Sequence, residues 1–236
     1  MSLLTVIQDV SDLLGIPRPS AVYGSLDPGV RQLLQLANRE GRELSARYPW
    51  QVLTREVTFT TVATESQGTL TSICGATQPV RSIVGDTLWN RTTGEKICGP
   101  RSGRTWQAYK SQTFTAPQSE YRILGDELKF LPAPTAGQTV AFEFVSKSWC
   151  TDSTGATYRV SFAADTDLIL LDEELFRIGI EWRWLQRKGF EYAESFASYE
   201  RMVADAMARD GTKPTLDLAG ASTYDAPLAI ARTIGS

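Results

Sequence analysis

The chain has 236 residues, enough to bury a substantial core, and its 42% apolar and 22% charged residues exclude wholesale disorder. It contains no histidine, which removes Ser-His-acid and Cys-His catalysis, histidine-bearing zinc sites and imidazole-based pH switches. A formal charge of -3 without a long basic run makes the monomer a poor partner for duplex DNA, which requires several phosphates to be neutralised.

The opening residues, MSLLTVIQDV, meet Asp9 with no basic flank ahead of them, so they do not read as an export signal and cytoplasmic synthesis is expected. No apolar run approaches the roughly 20 residues of a membrane-spanning helix. Instead, Leu3, Val6, Ile7, Val10 and Leu14 recur at helical spacing and predict a helix from about Leu3 to Leu14, stopped by Gly15. A second helix starts where Asp27 can cap free amides and Pro28 takes the first helical position. Its face is Val30, Leu33, Leu34, Ala37, Leu44 and Tyr48, and Pro49 ends it. Gly41 interrupts that face. It is either a point of close approach for a neighbouring helix, including one at a subunit interface, or a surface glycine costing about 1 kcal/mol of helix preference.

From Gln51 the period changes to two, with Val57 and Phe59 alternating against Thr58 and Thr60. Short apolar and aromatic runs continue to about Val160, separated by turn pairs such as Gly85-Asp86, Thr93-Gly94 and Gly125-Asp126. This punctuation predicts roughly six to eight antiparallel strands in a sandwich or small barrel. Val140–Val145 and Thr157–Phe162 are the clearest late strands.

Helical spacing returns with Leu168, Leu171, Leu175, Ile178, Trp182 and Leu185. That helix starts near Asp172-Glu173-Glu174 and ends at Arg187-Lys188-Gly189, with acid at its start, base at its end and a glycine stop. Tyr192, Phe196, Tyr199, Val203 and Ala206 mark a last helix ending at Asp210-Gly211. Amphipathic helices at both ends of the chain must bury their stripes, most economically against each other. The predicted class is therefore α+β: a helical bundle from residues 1–50 and 166–210, a β domain at 51–165 inserted in it, and an extended arm at 211–236. The arm carries isolated apolar residues, Leu216, Leu218, Tyr224, Leu228 and Ile230, on a weakly charged segment. It is a loose end or a segment ordered by a partner, the latter being favoured.

Sites of chemistry are sparse. Asp165, Asp167, Asp172, Glu173 and Glu174 cluster, but negative charge at a helix start is stabilising without any ligand. Gly94 to Arg104 has several glycines yet lacks the Gly-Lys-Ser/Thr of a phosphate loop, so Arg101, Arg104 and Lys110 read as loop surface or partners of nearby acids. Cys74, Cys98 and Cys150 are odd in number and widely spaced, fitting neither a disulfide framework nor a zinc pattern. Neither cofactor nor metal is implied, and the residues point away from an enzyme. Of the six tryptophans, Trp182 lies on the apolar helical stripe, whereas Trp184 cannot share that face and must meet a second surface. The β domain or a neighbouring subunit supplies it, the subunit being preferred.

Several strings taken together are informative: Ala37-Asn-Arg-Glu-Gly-Arg-Glu-Leu44, Arg47-Tyr-Pro-Trp-Gln51, Leu88-Trp-Asn-Arg-Thr92, Pro132 to Gly137, Phe142 to Cys150, Asp165-Thr-Asp167, Leu171 to Leu175, and Gly179-Ile-Glu-Trp-Arg-Trp-Leu185 with Gly189 to Glu194. The chain resembles the head-to-tail adaptor (connector) proteins of tailed bacteriophages over most of Val30 to Asp210. The resemblance implies a ring of about twelve copies beneath the portal, in the virion at the head-tail junction. It also implies a β part facing outward or toward the tail, a C-terminal extension reaching the portal, a downstream tail or nozzle protein as a further partner, and DNA only in transit through the channel. A virion-associated carbohydrate-binding module using exposed aromatics is the alternative. A carboxylate-based hydrolase stands third.

Overall fold

The computed structural model describes residues 1–111 and 119–211. The helices and strands run in the order α1 (Leu3–Leu13), α2 (Pro28–Arg47), β1 (Thr54–Thr60), β2 (Ser66–Thr69), α3 (Leu70–Cys74), β3 (Val80–Ile83), β4 (Trp89–Asn90) and β5 (Glu95–Lys96). Then follow α4 (Gly103–Ser111), β6 (Glu120–Leu124), β7 (Glu127–Leu131), β8 (Thr139–Ser146), β9 (Cys150–Thr151), β10 (Tyr158–Arg159), β11 (Leu168–Ile169), α5 (Glu173–Lys188) and α6 (Ala193–Asp210). The protein is a mixed α+β fold in which N- and C-terminal helices flank a central antiparallel β region.

Local chemistry sets the helix ends. Asp27 Oδ1 accepts from the amides of Gly29 (2.7 Å) and Val30 (3.1 Å), so α2 starts with its free donors satisfied. Asp172 does the same for Leu175 (3.0 Å) at α5, whose end is closed by Gly189 in the left-handed conformation at φ +78°. That conformation costs glycine no steric clash, which is why the chain can turn there into α6.

β8 organises the sheets. β1 pairs along its whole length, from Thr54 opposite Val145 to Thr60 opposite Thr139, while β3 and β4 share its other side and β5 extends β4. A second sheet has the order β2-β7-β6 and a small third sheet the order β10-β9-β11. All three orders are open, and neither the sandwich nor the barrel expected from the turn spacing is formed among the described residues. The strand expected at Thr157–Phe162 is reduced to Tyr158–Arg159. Two helices, α3 and α4, lie inside the region read as strands alone.

β8 buries one face throughout and the other at Ala141 and Val145, with Thr139 and Glu143 exposed, which accounts for its near-continuous apolar run. Val140, Phe142 and Phe144 enter a core with Tyr121, Leu128 and Phe130 from the second sheet, where Phe59 and Phe130 lie 6.2 Å apart. Val145 points the other way, into a larger core built by the helices. Trp149, Cys150, Phe162 and Ile169 belong to that helical core as well, although their sequence positions precede residue 166 or abut it. Trp149 is fully buried, meets Phe162 edge-on at 4.8 Å, and donates from Nε1 to the Val160 carbonyl (2.8 Å). The helical unit is thus completed by the chain that leaves the β region.

Candidate functional site

The most distinctive polar arrangement lies where α2, α5 and α6 meet. Glu40 of α2 and Tyr199 of α6 are fully buried, and Arg183 of α5 is 1% exposed. Arg183 forms an ion pair with Glu40 and another with Glu43 (2.6 Å), and it also donates to the Gly179 carbonyl (3.0 Å). The Tyr199 hydroxyl donates to the other oxygen of Glu40 (2.5 Å). All three helices therefore contribute, α2 with Glu40 and Glu43, α5 with Arg183 and α6 with Tyr199, and removing Arg183 or Glu40 leaves a buried group unpaired.

Two glycines admit close neighbours here: Gly179 lets α5 approach α2, and Gly41 lets α2 approach Trp149 in the β8–β9 connection. A Cβ at Gly179 would lie 2.3 Å from the Glu40 carboxylate, and one at Gly41 would lie 2.4 Å from the Trp149 ring. Gly179 precedes Arg183 by one helical turn on the same face, so the glycine admits Glu40 while the arginine pairs with it. The Arg183 guanidinium also sits 4.3 Å from the centroid of the Trp182 ring, a cation-π contact.

Burial dominates the electrostatics. It pushes the Glu40 carboxyl up to about 7, against the pull of Arg183, the Tyr199 hydrogen bond and Arg47. Burial, with the Glu40 charge beside it, raises the Tyr199 phenol. At Glu43 burial opposes ionisation, but hydrogen bonds from Arg39 and Arg183 outweigh it and hold that carboxyl below its usual range. A carboxyl titrating near neutrality can serve as a general acid or base, provided that a substrate reaches it. Glu40 and Tyr199 are both sealed from solvent, so the cluster acts as a lock between three helices.

The acidic residues singled out in the sequence occupy separate structural roles. Asp165 accepts from the amides of Val22 (3.1 Å) and Tyr23 (2.6 Å), tying the α1–α2 connection to the far end of the chain. Asp167, 1% exposed, accepts from Ala163 and Ala164 and pairs with Arg159. Asp172 caps α5, Glu173 pairs with the N-terminal amine, and Glu174 pairs with Arg177. Arg101 grips Glu120 through two hydrogen bonds (2.7 and 2.5 Å), Lys110 meets Glu65, and Arg104 is exposed on α4. Burial, assisted by Asp126 and Asp167 respectively, pushes the Cys74 and Cys150 thiols up to about 12, which keeps both protonated at neutral pH. No group of three or more His, Cys, Asp or Glu among the described residues could hold a metal ion. A cleft of about 530 Å³ opens where α2, α5 and α6 end or begin, with Leu44, Trp50 and Leu175 in its wall and Asp172 and Arg209 among its polar groups.

The two residues expected at a subunit interface require correction. Trp184 is 6% exposed and belongs to the helical core, with the Lys188 ammonium 4.4 Å from its ring centroid, so its second surface is supplied within the chain. Gly41 is buried against Trp149, and the close approach it permits is also intramolecular. The arm residues Leu216, Leu218, Tyr224, Leu228 and Ile230 lie outside the described residues. Glu40 and Arg183 escaped the sequence reading, although Arg183 stands out as a charge between two tryptophans. Set against known proteins, the sequence matches no family model and no curated relative.

Proposed function

We propose that this protein is the subunit of a ring that joins the portal of a tailed bacteriophage to its tail, with about twelve copies enclosing a passage for DNA. It is a structural part of the virion, made in the host bacterial cytoplasm, and not an enzyme. One observation carries this reading: the segments bearing the adaptor resemblance, Ala37–Leu44 and Gly179–Leu185, supply the buried charges and the Gly179 contact that lock α2 to α5, and the Gly41 contact that seats Trp149. A subunit that transmits load between larger rings needs such a rigid body. Many weak contacts then add up only if each subunit holds its contact groups in fixed register. Residues 211–236 serve as the portal-reaching arm, and loops of the β region meet neighbours or the next tail component.

The burial of tryptophan favours the adaptor over the carbohydrate-binding module. Five of the six rings are at most 8% exposed, and Trp89 at 39% is the exception. A single exposed tryptophan provides little of the indole platform that a glycan site built on tryptophans requires, although Tyr23, Phe190, Tyr192 and Phe196 are exposed as well. Sedimentation of the purified protein with portal rings tests the proposal: co-sedimentation at a fixed stoichiometry is expected, whereas a protein that stays monomeric beside the portal and binds glycan instead contradicts it.

A further inference from the structure

α2 exposes four charged and amide side chains on one row, Arg31, Gln35, Arg39 and Arg42, while the exposed Arg47 lies on another side and pairs with Glu200. Arg39 is held by Glu43 at 2.5 Å, whereas Arg31 and Arg42 have no carboxylate partner among the described residues. A groove of about 590 Å³ runs along this row. α6 exposes a second row, Glu194, Ala197, Arg201 and Asp205, in which Glu194 and Asp205 have no cationic partner among the described residues.

The rows match in length. Arg31 to Arg42 and Glu194 to Asp205 each cover about three turns, or ~16 Å at 1.5 Å per residue. Laid antiparallel, they place Arg31 against Asp205 and Arg42 against Glu194. Arg201 then meets the neutral Gln35, and Arg39 meets the small Ala197. A parallel arrangement would instead bring Arg201 against Arg39. The two rows cannot meet within one chain: at 3.6 residues per turn the α2 row lies about 130° round its helix from Glu40 and Arg47, which contact α6. The α6 row is likewise turned away from Tyr199 and Glu200, which contact α2. One molecule therefore presents complementary rows in divergent directions, as head-to-tail association requires.

We infer that the Arg31–Arg42 row of one copy seats antiparallel on the Glu194–Asp205 row of the next and forms the contact between adjacent subunits. The inference rests on the ring proposed above and names the surface that builds it. Two charge reversals test it in the full-length protein: Arg31→Glu with Arg42→Glu, and Glu194→Arg with Asp205→Arg. All four positions are exposed, so both variants should fold, with the Glu194→Arg pair unfolding at most slightly below the wild-type temperature because Glu194 lies in the first turn of α6. Mass photometry in the presence of portal should show about a tenfold loss of assembled rings for either variant alone. Mixing the two variants in equal amounts should restore rings, because each then offers the row that the other lacks. Assembly of either variant at the wild-type level, or a mixture that stays unassembled, overturns this interface while leaving the ring intact as a proposal. A wild-type protein that never assembles overturns the ring and the interface together.

Discussion

Gly41 and Gly179 are the positions where one added methyl group should do most damage. The Trp149 ring facing Gly41 is fully buried and hydrogen-bonded, and the Glu40 carboxylate facing Gly179 is fixed by Arg183 and Tyr199, so neither neighbour can yield. Gly41→Ala and Gly179→Ala should each cost about 1–3 kcal/mol, read as a lower urea midpoint at unchanged slope. Trp184→Ala should cost about 3–5 kcal/mol of folding stability, since the ring fills the helical core and not a surface between copies. A Trp184→Ala protein of normal stability that fails to form rings would return this residue to the interface. Glu40 makes stability depend on pH with a definite sign. Its folded value near 7 exceeds its unfolded value near 4.5, so its contribution is full below about 4.5 and is lost as pH rises through 7. Glu40→Gln should flatten that part of the stability–pH curve, and denaturant titrations from pH 5 to 8 measure the slope directly. An unchanged slope would assign the titration to another group.

At the scale of elements, helix starts and the α1–α2 connection are held by carboxylates that accept backbone amides. Asp172→Ala should cost about 1 kcal/mol, as removal of an N-cap usually does. Asp165→Ala should free the connection between α1 and α2, seen as faster proteolytic cutting between Gly15 and Leu26 with α5 still protected. These helix ends were legible in the sequence because a cap is local chemistry: Asp27-Pro28, Asp172 and Gly189 announce themselves within a few residues. α4 was hidden because Gly99-Pro100 and Gly103 read as loop punctuation. The alternation over Thr157–Phe162 overstated a strand because β9 offers only two residues to pair with it. Pairing between distant segments was the least legible feature. The stripe argument required a second surface for Trp184 but could not say that the chain's own core provides it, and nothing local joins Glu40 to Arg183.

The described residues build two apolar cores divided by β8, which sends Phe142 and Phe144 into one and Val145 into the other. Helices from both ends of the chain close the larger core, so the body should fold without the residues beyond Gly211. Deletion of 212–236 should leave thermal unfolding unchanged while weakening portal attachment, to be compared by calorimetry and pull-down. Unaltered portal binding would remove the arm from the proposal. Rigid helices, locked by buried charge and presenting complementary rows on divergent faces, suit a part that repeats around an axis. Electron microscopy of the protein bound to purified portal views that repetition directly. An annular layer with an open centre, stacked coaxially on the portal, is the expected image; isolated single copies scattered on the portal or absent from it would contradict the account.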